Sequence, residues 1–447
     1  MKKNELRRHS RALIITLVGF VGILQLPPVW GGGPLVLDSP DVPIVWIGSP
    51  PAASITPDTG SLGILDPATA LSNLLAAAAA WEDIPSSSIT LPNAGPDNSI
   101  TGPEGPGDFA VSNFLNYVDV CGPLGNPQIS PMIFDHEDTD ANGNGDIFDA
   151  LGVPPGVLGI ASAECNFGNE LVEGYAIFNG PAVDALDITG EDFRSTMTHE
   201  LGHLLNFAHS VVNGQAFIFG GSDALFPDGT PLLPGPGDVE IMYPFAGGTS
   251  ATPHQDDIAI ASTLYPEPGM PLTDFGTITG TLFGAPSTPR TGGQIIARNM
   301  ANPFQDAVSA ISGDFLQFDI PGDPTRGTYT LNTLTPGGRY SLEVRDSVAG
   351  DFSTEVFVPS DGFAFPSLGP LPGPEEFYSG PDESHSNPID DPTTPAFLIT
   401  VPAGGPPSAF VANTLLNTPP TVLVANWISG DTRFFKSRVY LWNPSTS

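Results

Sequence analysis

The chain has 447 residues, enough for two or three domains, and carries 14 basic residues against 49 acidic ones. A formal net charge of −35 repels nucleic acid and anionic membranes, so we expect no nucleic-acid partner and a soluble protein in calcium- or salt-containing surroundings. Glycine and proline number 51 and 50, which fits short strands, turns and linkers better than a helical protein.

The first thirty residues are typical of an export signal. Five basic residues among the first eleven precede an apolar run, residues 12–24, that is short for a membrane span. Because no Ala-x-Ala cleavage site follows, residues 1–30 are either a signal peptide or an uncleaved N-terminal anchor. In both cases we expect a secreted or extracellular protein, free or anchored to the cell surface. In such a chain Cys121 and Cys165 favour a disulfide over two free thiols.

A strand, a long helix and a second strand are predicted next. Residues 42–47 are apolar and β-branched and indicate the first strand, and residues 88–91 indicate the second. Asp66 and Pro67 give a helix start, as N-cap and first helical residue. The predicted buried stripe of this helix is Ala70, Leu71, Leu74, Leu75, Ala78 and Trp81. Residues 92–130 are rich in Gly, Pro and Asn and are interpreted as an insertion without an assigned role.

Residues 138–149 match the spacing of an EF-hand-type calcium loop. Oxygen-bearing side chains stand at loop positions 1, 3, 5, 9 and 12, Gly143 allows the sharp turn at position 6, and position 7 supplies a backbone carbonyl. The candidate calcium ligands are Asp138, Asp140, Asn142, Asn144, Asp146 and Asp149. Calcium would be structural here, because it would hold together carboxylates that otherwise repel one another. The alternative is an acidic, solvated loop.

The strongest motif is His199-Glu200-Leu201-Gly202-His203, followed by Asn206 and His209. Residues four apart share one face of a helix, so His199 and His203 can present imidazole nitrogens to one ion. The helix must end before His209 can become a third ligand, and Asn206 suits this end because Asn tolerates a left-handed conformation. Three neutral imidazoles with an open fourth position describe a catalytic zinc, beside which Glu200 can deprotonate a metal-bound water. The alternative is a helix that carries histidines without a metal.

The spacing His-Glu-x-x-His-x-x-Asn-x-x-His resembles the zinc signature of the metzincin metallopeptidases, with Asn206 where that family usually has Gly. Residues 239–244, which include Met242-Tyr243-Pro244, resemble the Met-turn of the matrixin branch, and residues 254–265 resemble its last catalytic-domain helix. The resemblance implies a matrixin-like α+β catalytic domain over residues 38–267, with a mixed twisted sheet and two long helices.

The resemblance also implies roles for residues around the zinc. Met242 would support the site from below without binding the metal. Residues 156–161 resemble the edge strand above the zinc, where Leu158 and Gly159 would bind an extended peptide substrate, and Pro244 would belong to the wall of the substrate pocket. From the sequence alone, residues 156–161 are equally compatible with an ordinary core strand. Residues 175–178 indicate a further strand.

A second domain is predicted after the linker at residues 266–269. Short strand-like runs at residues 277–283, 294–299, 315–320, 328–331 and 340–344 favour an all-β sandwich. Through motifs such as Gly327-Thr328-Tyr329, residues 275–417 resemble the carboxypeptidase regulatory-like sandwich. We interpret this sandwich as an accessory module for cell-surface or matrix contact. Residues 418–447 form a strand-like C-terminal tail, which either pairs with another domain or ends an incomplete chain.

The sequence therefore predicts an exported zinc-dependent endopeptidase that hydrolyses peptide bonds in a protein or peptide substrate. Zinc would be the catalytic cofactor, calcium a structural one, and Glu200 the general base. The alternative is a surface adhesion or matrix protein whose metzincin domain is inactive. The presence of Glu200 argues against this alternative, because the histidines alone would suffice to hold a structural metal.

Overall fold

A computed structural model gives a mixed α+β protein with several sheets and few helices. It describes residues 33–35, 37–39, 42–118, 129–136, 146–153, 156–186, 190–210, 212–219, 226–243, 251–270, 274–284, 286–290, 293–313, 326–345, 376–385, 397–402 and 409–416. The predicted signal or anchor and the C-terminal tail lie outside these residues. Within them, no helix has both the length and the apolar character needed to cross a membrane.

The chain divides into two compact units. Unit 1 draws its residues from Met1–Phe219 and Pro234–Asp274, and unit 2 from Gly220–Leu233 and Phe275–Ser447. The described strands of unit 1 are β1 (Leu37–Ser39), β2 (Val42–Pro43), β3 (Val45–Trp46), β4 (Ile55–Pro57), β5 (Thr101–Gly102), β6 (Gly105–Pro106), β7 (Ser130–Phe134), β8 (Gly159–Phe167) and β9 (Glu170–Phe178). Its described helices are α1 (Pro67–Glu82), α2 (Ile147–Leu151), α3 (Gly180–Leu186), α4 (Gly190–Leu204), α5 (Gly214–Phe219) and α6 (Gln255–Leu264).

The main sheet of unit 1 has the strand order β3-β9-β7-β4, and β8 pairs with β9 as a fifth strand. Strands β3 and β7 run parallel to β9, and β4 runs parallel to β7, whereas β8 is antiparallel to β9. Among the described residues β8 pairs only with β9, so β8 is an edge of the sheet. It begins at Gly159, three residues later than the predicted edge strand.

Two strand predictions were wrong in detail. Residues 42–47 form two short strands that are interrupted at Ile44, because the Ile44 carbonyl accepts a hydrogen bond from the Asn206 side chain instead. Residues 88–91 form no continuous strand, and only single bridges join Thr90 to Ala52 and Asn93 to Ile55. Prolines at positions 51 and 92 flank these bridges and lack the N–H that a longer ladder needs.

Helix α1 begins as predicted but buries a somewhat different face. Asp66 is its N-cap and accepts hydrogen bonds from the backbone N–H groups of Ala68 and Thr69. Leu71 is only half-buried and Leu75 is 36% exposed, which corrects the predicted stripe. The buried residues are Ala70, Asn73, Leu74, Ala77, Ala78 and Trp81. Asn73 is tolerated inside because its side-chain oxygen accepts two hydrogen bonds from Arg194 on α4.

The main sheet is buried on both faces. Alternate residues of its strands point to opposite faces, and a different hydrophobic cluster covers each face. On one face Phe134 and Phe178 belong to a cluster with Trp81 of α1 and Leu201 of α4. On the other face the cluster is Ile100, Phe109, Phe114, Val118, Ile133, Ile147, Phe148, Tyr175 and Ile177. Residues 92–118, which make up most of the described part of the predicted insertion, therefore cover the second face of the sheet, whereas Ser130 belongs to β7.

The described residues of unit 2 form two five-stranded sheets. Its strands are β10 (Gly276–Gly284), β11 (Thr288–Pro289), β12 (Gln294–Asn299), β13 (Ala307–Ile311), β14 (Thr328–Leu334), β15 (Arg339–Arg345), β16 (Glu376–Phe377), β17 (Ile399–Thr400), β18 (Phe410–Val411) and β19 (Thr414–Leu415). One sheet has the order β11-β10-β14, with β18 and β19 also on β10, and the other has the order β13-β12-β15-β16, with β17 on β15. The predicted strand at 315–320 lies outside the described residues, and the strands that were not predicted are β11, β13, β16, β17, β18 and β19.

We expect the Phe109→Ala substitution to destabilise unit 1 by about 3–5 kcal/mol, because it empties a fully buried site under the second face of the sheet. Leu115→Ala in the same segment is the control, since Leu115 is 41% exposed and its loss should cost well under about 1 kcal/mol. Chemical denaturation followed by tryptophan fluorescence measures both. Equal, small effects would mean that residues 92–118 are a dispensable insertion.

Candidate metal centre

The end of α4 determines where the third histidine lies. Helix α4 ends at Leu204, and Asn206 has a φ of 69°, in the left-handed region that Asn was predicted to adopt. The backbone N–H of Phe207 donates to the carbonyl of Gly202 at 2.9 Å, which closes the helix end as a Schellman-type cap. The chain therefore reverses within a few residues, and His209 returns towards the helix.

The three predicted histidines converge. The ring centroids of His199 and His203 are 4.7 Å apart, those of His203 and His209 are 4.7 Å apart, and those of His199 and His209 are 5.2 Å apart. One potential ligand atom from each ring lies within 4.8 Å of the other two, and the Nε2 atoms of His203 and His209 are separated by 3.1 Å. Ligand nitrogens on a tetrahedral zinc are about 3.3 Å apart. The three histidines are thus close enough to hold a metal ion.

Hydrogen bonds to the backbone fix the ring orientation of two of these histidines. Nδ1 of His199 lies 2.7 Å from the carbonyl oxygen of Ile241, and Nδ1 of His203 lies 2.8 Å from that of Phe207. A carbonyl can only accept, so each Nδ1 carries the proton and each Nε2 keeps a lone pair for a metal. The predicted ligand set therefore has the nitrogen chemistry that a metal needs.

Burial keeps all three imidazoles neutral. It lowers the pKa of His199 to about 4 and that of His203 to about 3, and it lowers the pKa of His209 well below the usual value. Repulsion among the neighbouring rings lowers the pKa values of His203 and His209 further. Neutral imidazole is the form that binds metal ions, so the site requires no deprotonation before it binds one.

Glu200 lies against the start of the edge strand. Its side chain is 6% exposed, and burial raises its pKa to about 8. A Cβ built on Gly159 would lie 2.5 Å from Glu200 Cγ and 2.6 Å from its Oε1, so the missing side chain of Gly159 leaves room for the carboxyl group. The structure thus brings together Glu200, which was predicted from the histidine motif, and Gly159, which was predicted from the resemblance of residues 156–161 to an edge strand.

The turn around Met242 supports α4 from the other side. Met242 is fully buried, and its sulfur lies against Gly202, where any Cβ would collide with it. The carboxylate of Asp257 accepts hydrogen bonds from the N–H groups of Ile241 at 2.9 Å and Met242 at 3.0 Å. Because the Ile241 carbonyl accepts from His199, Asp257 holds the peptide unit that orients a candidate ligand. Asp257 lies in the segment that resembles the last matrixin helix, but no pattern in the sequence signals this role.

Three residues that were not predicted as part of the site anchor the two ends of the histidine segment. The indole N–H of Trp46 donates to the Leu204 carbonyl at 2.9 Å, and that of Trp81 donates to the Thr198 carbonyl at 2.8 Å. The Asn206 side chain donates to the Ile44 carbonyl at 2.7 Å. These partners are more than a hundred residues apart in sequence, and no local pattern signals them.

An upstream segment pairs with the chain that leads to His209. The N–H of Ala208 donates to the Gly33 carbonyl at 2.9 Å, and the N–H of Leu35 donates to the Asn206 carbonyl at 2.8 Å. Pro34 and Phe207 lie opposite each other in this antiparallel bridge. The turn that carries the third histidine is therefore held by backbone hydrogen bonds on its outer side.

The calcium prediction is only partly covered by the structure. Asp138, Asp140, Asn142 and Asn144 lie outside the described residues. Asp146 is the N-cap of α2, where it accepts a hydrogen bond from the N–H of Asp149 at 2.6 Å. This capping role is sufficient to explain Asp146 without a metal, so the calcium site stays a prediction.

Three further predicted residues have different outcomes. Leu158 is half-buried, and its carbonyl accepts a hydrogen bond from the Asn179 N–H, so that carbonyl is already engaged within the protein. Pro244 lies outside the described residues. Cys165 is buried and disulfide-bonded, as favoured from the sequence, and the second cysteine of the chain, Cys121, lies outside the described residues.

Comparison with known proteins assigns no family. No protein-family model matches the chain, and no curated protein matches it. Among solved structures, the chain is similar to the dioxygenase domain of a dioxygenase carbohydrate-binding protein fusion from the cellulolytic bacterium Streptomyces sp. SirexAA-E. The sequences are 18% identical over 33% of this chain and 82% of that chain, with a TM-score of 0.17. A likeness this weak carries no argument about fold or activity.

We expect the purified protein to bind one equivalent of a divalent metal at the three histidines, and the His203→Ala variant to lose it, because two remaining imidazoles cannot hold the ion alone. Elemental analysis after dialysis measures the content. His385→Ala is the matched control, since His385 lies in unit 2 and bonds to Ser287 and Leu416. Equal metal content in both variants would place the metal elsewhere.

Proposed function

We propose that this chain is an exported, zinc-dependent endopeptidase of the matrixin-like metzincin type. The observation that carries the proposal is the convergence of His199, His203 and His209, together with the buried carboxyl group of Glu200 against β8, which has a strand partner on one side only among the described residues. Three neutral imidazoles are a ligand set that suits zinc in a catalytic site, where a fourth position stays open for reactants.

Zinc bound to these nitrogens would supply Lewis acidity, which polarises a substrate carbonyl and lowers the pKa of a coordinated water. Glu200 supplies the proton acceptor. Burial alone raises its pKa to about 8, and a dication beside it would favour the ionised carboxylate and lower that pKa. Glu200 then takes the proton of the attacking water and delivers it to the leaving amine.

An extended peptide is the substrate that the surroundings favour. Strand β8 has an unpaired edge among the described residues, and a peptide can add to such an edge through main-chain hydrogen bonds. Gly159, the first residue of β8, contacts Glu200, so a peptide on this edge would lie beside the general base. Leu158 and Pro244 would complete the binding surface on either side.

The remaining features of the proposal concern the rest of the chain. Residues 138–149 would bind a structural calcium, and residues 1–30 would direct export to the extracellular space or the cell surface. Unit 2 would be a carboxypeptidase regulatory-like accessory module that contacts a surface or matrix. Its two five-stranded sheets are compatible with such a sandwich.

The competing proposal is an adhesion or matrix protein whose metzincin domain is inactive. In that protein the three histidines would bind zinc for structural reasons only, and Glu200 would have no catalytic function. Burying a carboxyl group that has no function is costly, so the presence of Glu200 favours the enzyme. Peptidase assays with zinc and calcium present separate the two proposals, since the adhesion protein cleaves neither casein-like mixtures nor a specific partner.

We expect the Glu200→Gln variant to retain its zinc and to lose about 10²–10⁴-fold in kcat, because an amide of the same shape cannot accept the proton. Peptide hydrolysis and metal content are measured on the same preparation. Removal of zinc by a chelator and its return should abolish and restore the wild-type activity. If the wild type cleaves no peptide with both metals present, the endopeptidase proposal fails.

We expect the Gly159→Ala variant to keep its zinc and to lose on the order of 10- to 100-fold in kcat, because the new methyl group displaces the Glu200 carboxyl group. The control is Gly269→Ala, where the nearest atom to a built Cβ is 3.7 Å away. Unchanged kcat in the Gly159 variant would show that the Glu200 side chain occupies a different position during turnover.

A further inference from the structure

A buried carboxyl group stands at the carboxyl end of β4, away from the histidines. Asp58 is 3% exposed. Its side chain accepts hydrogen bonds from the backbone N–H groups of Gly60 at 2.8 Å, Phe109 at 3.3 Å and Phe134 at 3.0 Å. These donors come from three separate segments, so Asp58 ties together the end of β4, the end of β7 and the covering segment 92–118.

A second buried carboxyl group from the covering segment lies against the first. Asp108 is fully buried, and its Oδ2 accepts a hydrogen bond from the N–H of Glu104 at 2.7 Å, whereas its Oδ1 has no hydrogen-bond donor. The carboxyl groups of Asp58 and Asp108 are within hydrogen-bonding reach of each other. Their Oδ1 atoms approach the same point, since a Cβ built on Gly60 would lie 3.2 Å from one and 2.5 Å from the other.

The charged groups around this pair act in opposite directions, because His136 lowers the pKa of Asp108 whereas Glu104 raises it. From the covering segment Glu104 faces the pair, while its own carboxylate accepts hydrogen bonds from Ser61. From the end of β7, His136 lies 3.8 Å from the Glu104 carboxylate and Asp135 bonds to the N-terminus of α2. Among the described residues, no Lys or Arg forms an ion pair with either member of the pair.

Two ionised carboxylates within hydrogen-bonding reach of each other and away from water would repel each other strongly. One proton removes the conflict, because a carboxylic acid can donate to the neighbouring carboxylate. That proton would also supply the donor that Asp108 Oδ1 lacks. Asp58 already accepts three N–H groups, which favours its ionised form, and Asp108 accepts one, so the proton belongs on Asp108.

We propose that Asp58 and Asp108 share one proton and form a pH-sensitive clasp that fastens residues 92–118 over the second face of the main sheet. With the proton in place, Asp108 Oδ1 donates to Asp58 and the covering segment is held closed. When the proton leaves, repulsion between the two carboxylates opens the clasp and loosens the packing of Phe109 and Phe114 against the sheet.

The direction of the pH effect follows from the burial of both groups. Burial raises the pKa of Asp58 well above its usual value and also raises that of Asp108. A carboxyl group with a raised folded-state pKa binds its proton more tightly in the folded protein than in the unfolded one. Its contribution to stability is therefore complete at acidic pH and declines as the pH rises from about 4 through the folded-state pKa.

Local hydrogen exchange tests the proposal on the full chain. Deuterium uptake of peptides that span residues 100–118 is followed by mass spectrometry from pH 5 to pH 9 and corrected for the intrinsic exchange rate. In the wild type the opening constant of this segment should rise with pH, by up to about tenfold per pH unit, the limit for one linked proton. A flat profile in the wild type overturns the proposal.

The informative variant is Asp108→Asn, whose amide can donate to Asp58 and still accept from the Glu104 N–H. Its opening constant should change by less than about twofold over the same range, because the titrating proton is replaced by a permanent donor. Glu173→Gln is the matched control. Burial raises the pKa of Glu173 on β9 to about 7, and this substitution should leave the slope of segment 100–118 unchanged.

Two outcomes would overturn the proposal, and one would keep the shared proton but place it on Asp58. If Asp108→Asn keeps the wild-type slope, the linked proton belongs to another group. If Asp58→Asn gives the flat, closed profile and Asp108→Asn opens the segment at every pH, the proton resides on Asp58. If millimolar calcium or zinc closes the wild-type segment at pH 8, a cation and not a proton joins the carboxylates. If Asp108→Asn fails to fold, the wild-type profile still tests the proposal. An opening constant that rises with pH and is unaffected by these ions supports it, and a flat profile overturns it.

Discussion

The left-handed turn at Asn206 is the constraint on which the metal centre depends. A helix can present only two of the three histidines to one ion, so the chain must leave the helix and return within six residues. Asn206 allows this with a positive φ. Its side-chain amide, which Gly would not provide, donates a hydrogen bond to the Ile44 carbonyl. Compared with Gly, Asn at this position therefore costs some backbone strain and gains a hydrogen bond to the Ile44 carbonyl.

Main-chain hydrogen bonds orient the histidines around that turn, and buried side chains hold the main chain in place. Backbone carbonyls of Ile241 and Phe207 orient the first two imidazoles, and Asp257 holds the peptide unit that contains Ile241. The ligands are thus positioned mainly by main-chain groups that buried side chains hold in place. Any residue type provides a main-chain carbonyl, so a sequence motif does not show which carbonyls orient the ligands.

The parts of the molecule that were predictable are those with local causes. The spacing of His199, His203 and His209 and the Asp66 cap each depend on a few consecutive residues, and each was predicted. The burial of Asn73 and the interruption at Ile44 depend on Arg194 and Asn206, which are distant in sequence. The covering role of residues 92–118 was hidden because their few apolar residues lack any period, and only contact with the sheet shows that they are core.

The anchoring of the histidine segment by Trp46, Trp81 and the Gly33–Leu35 bridge has a kinetic consequence. These contacts span 158, 117 and more than 170 residues of sequence, so loop-closure entropy delays them relative to the helix itself. A partly folded chain would carry all three histidines without the turn and carbonyls that aim them. Metal capture is therefore expected to be a late event in folding, which follows the long-range closure of unit 1 and does not nucleate it.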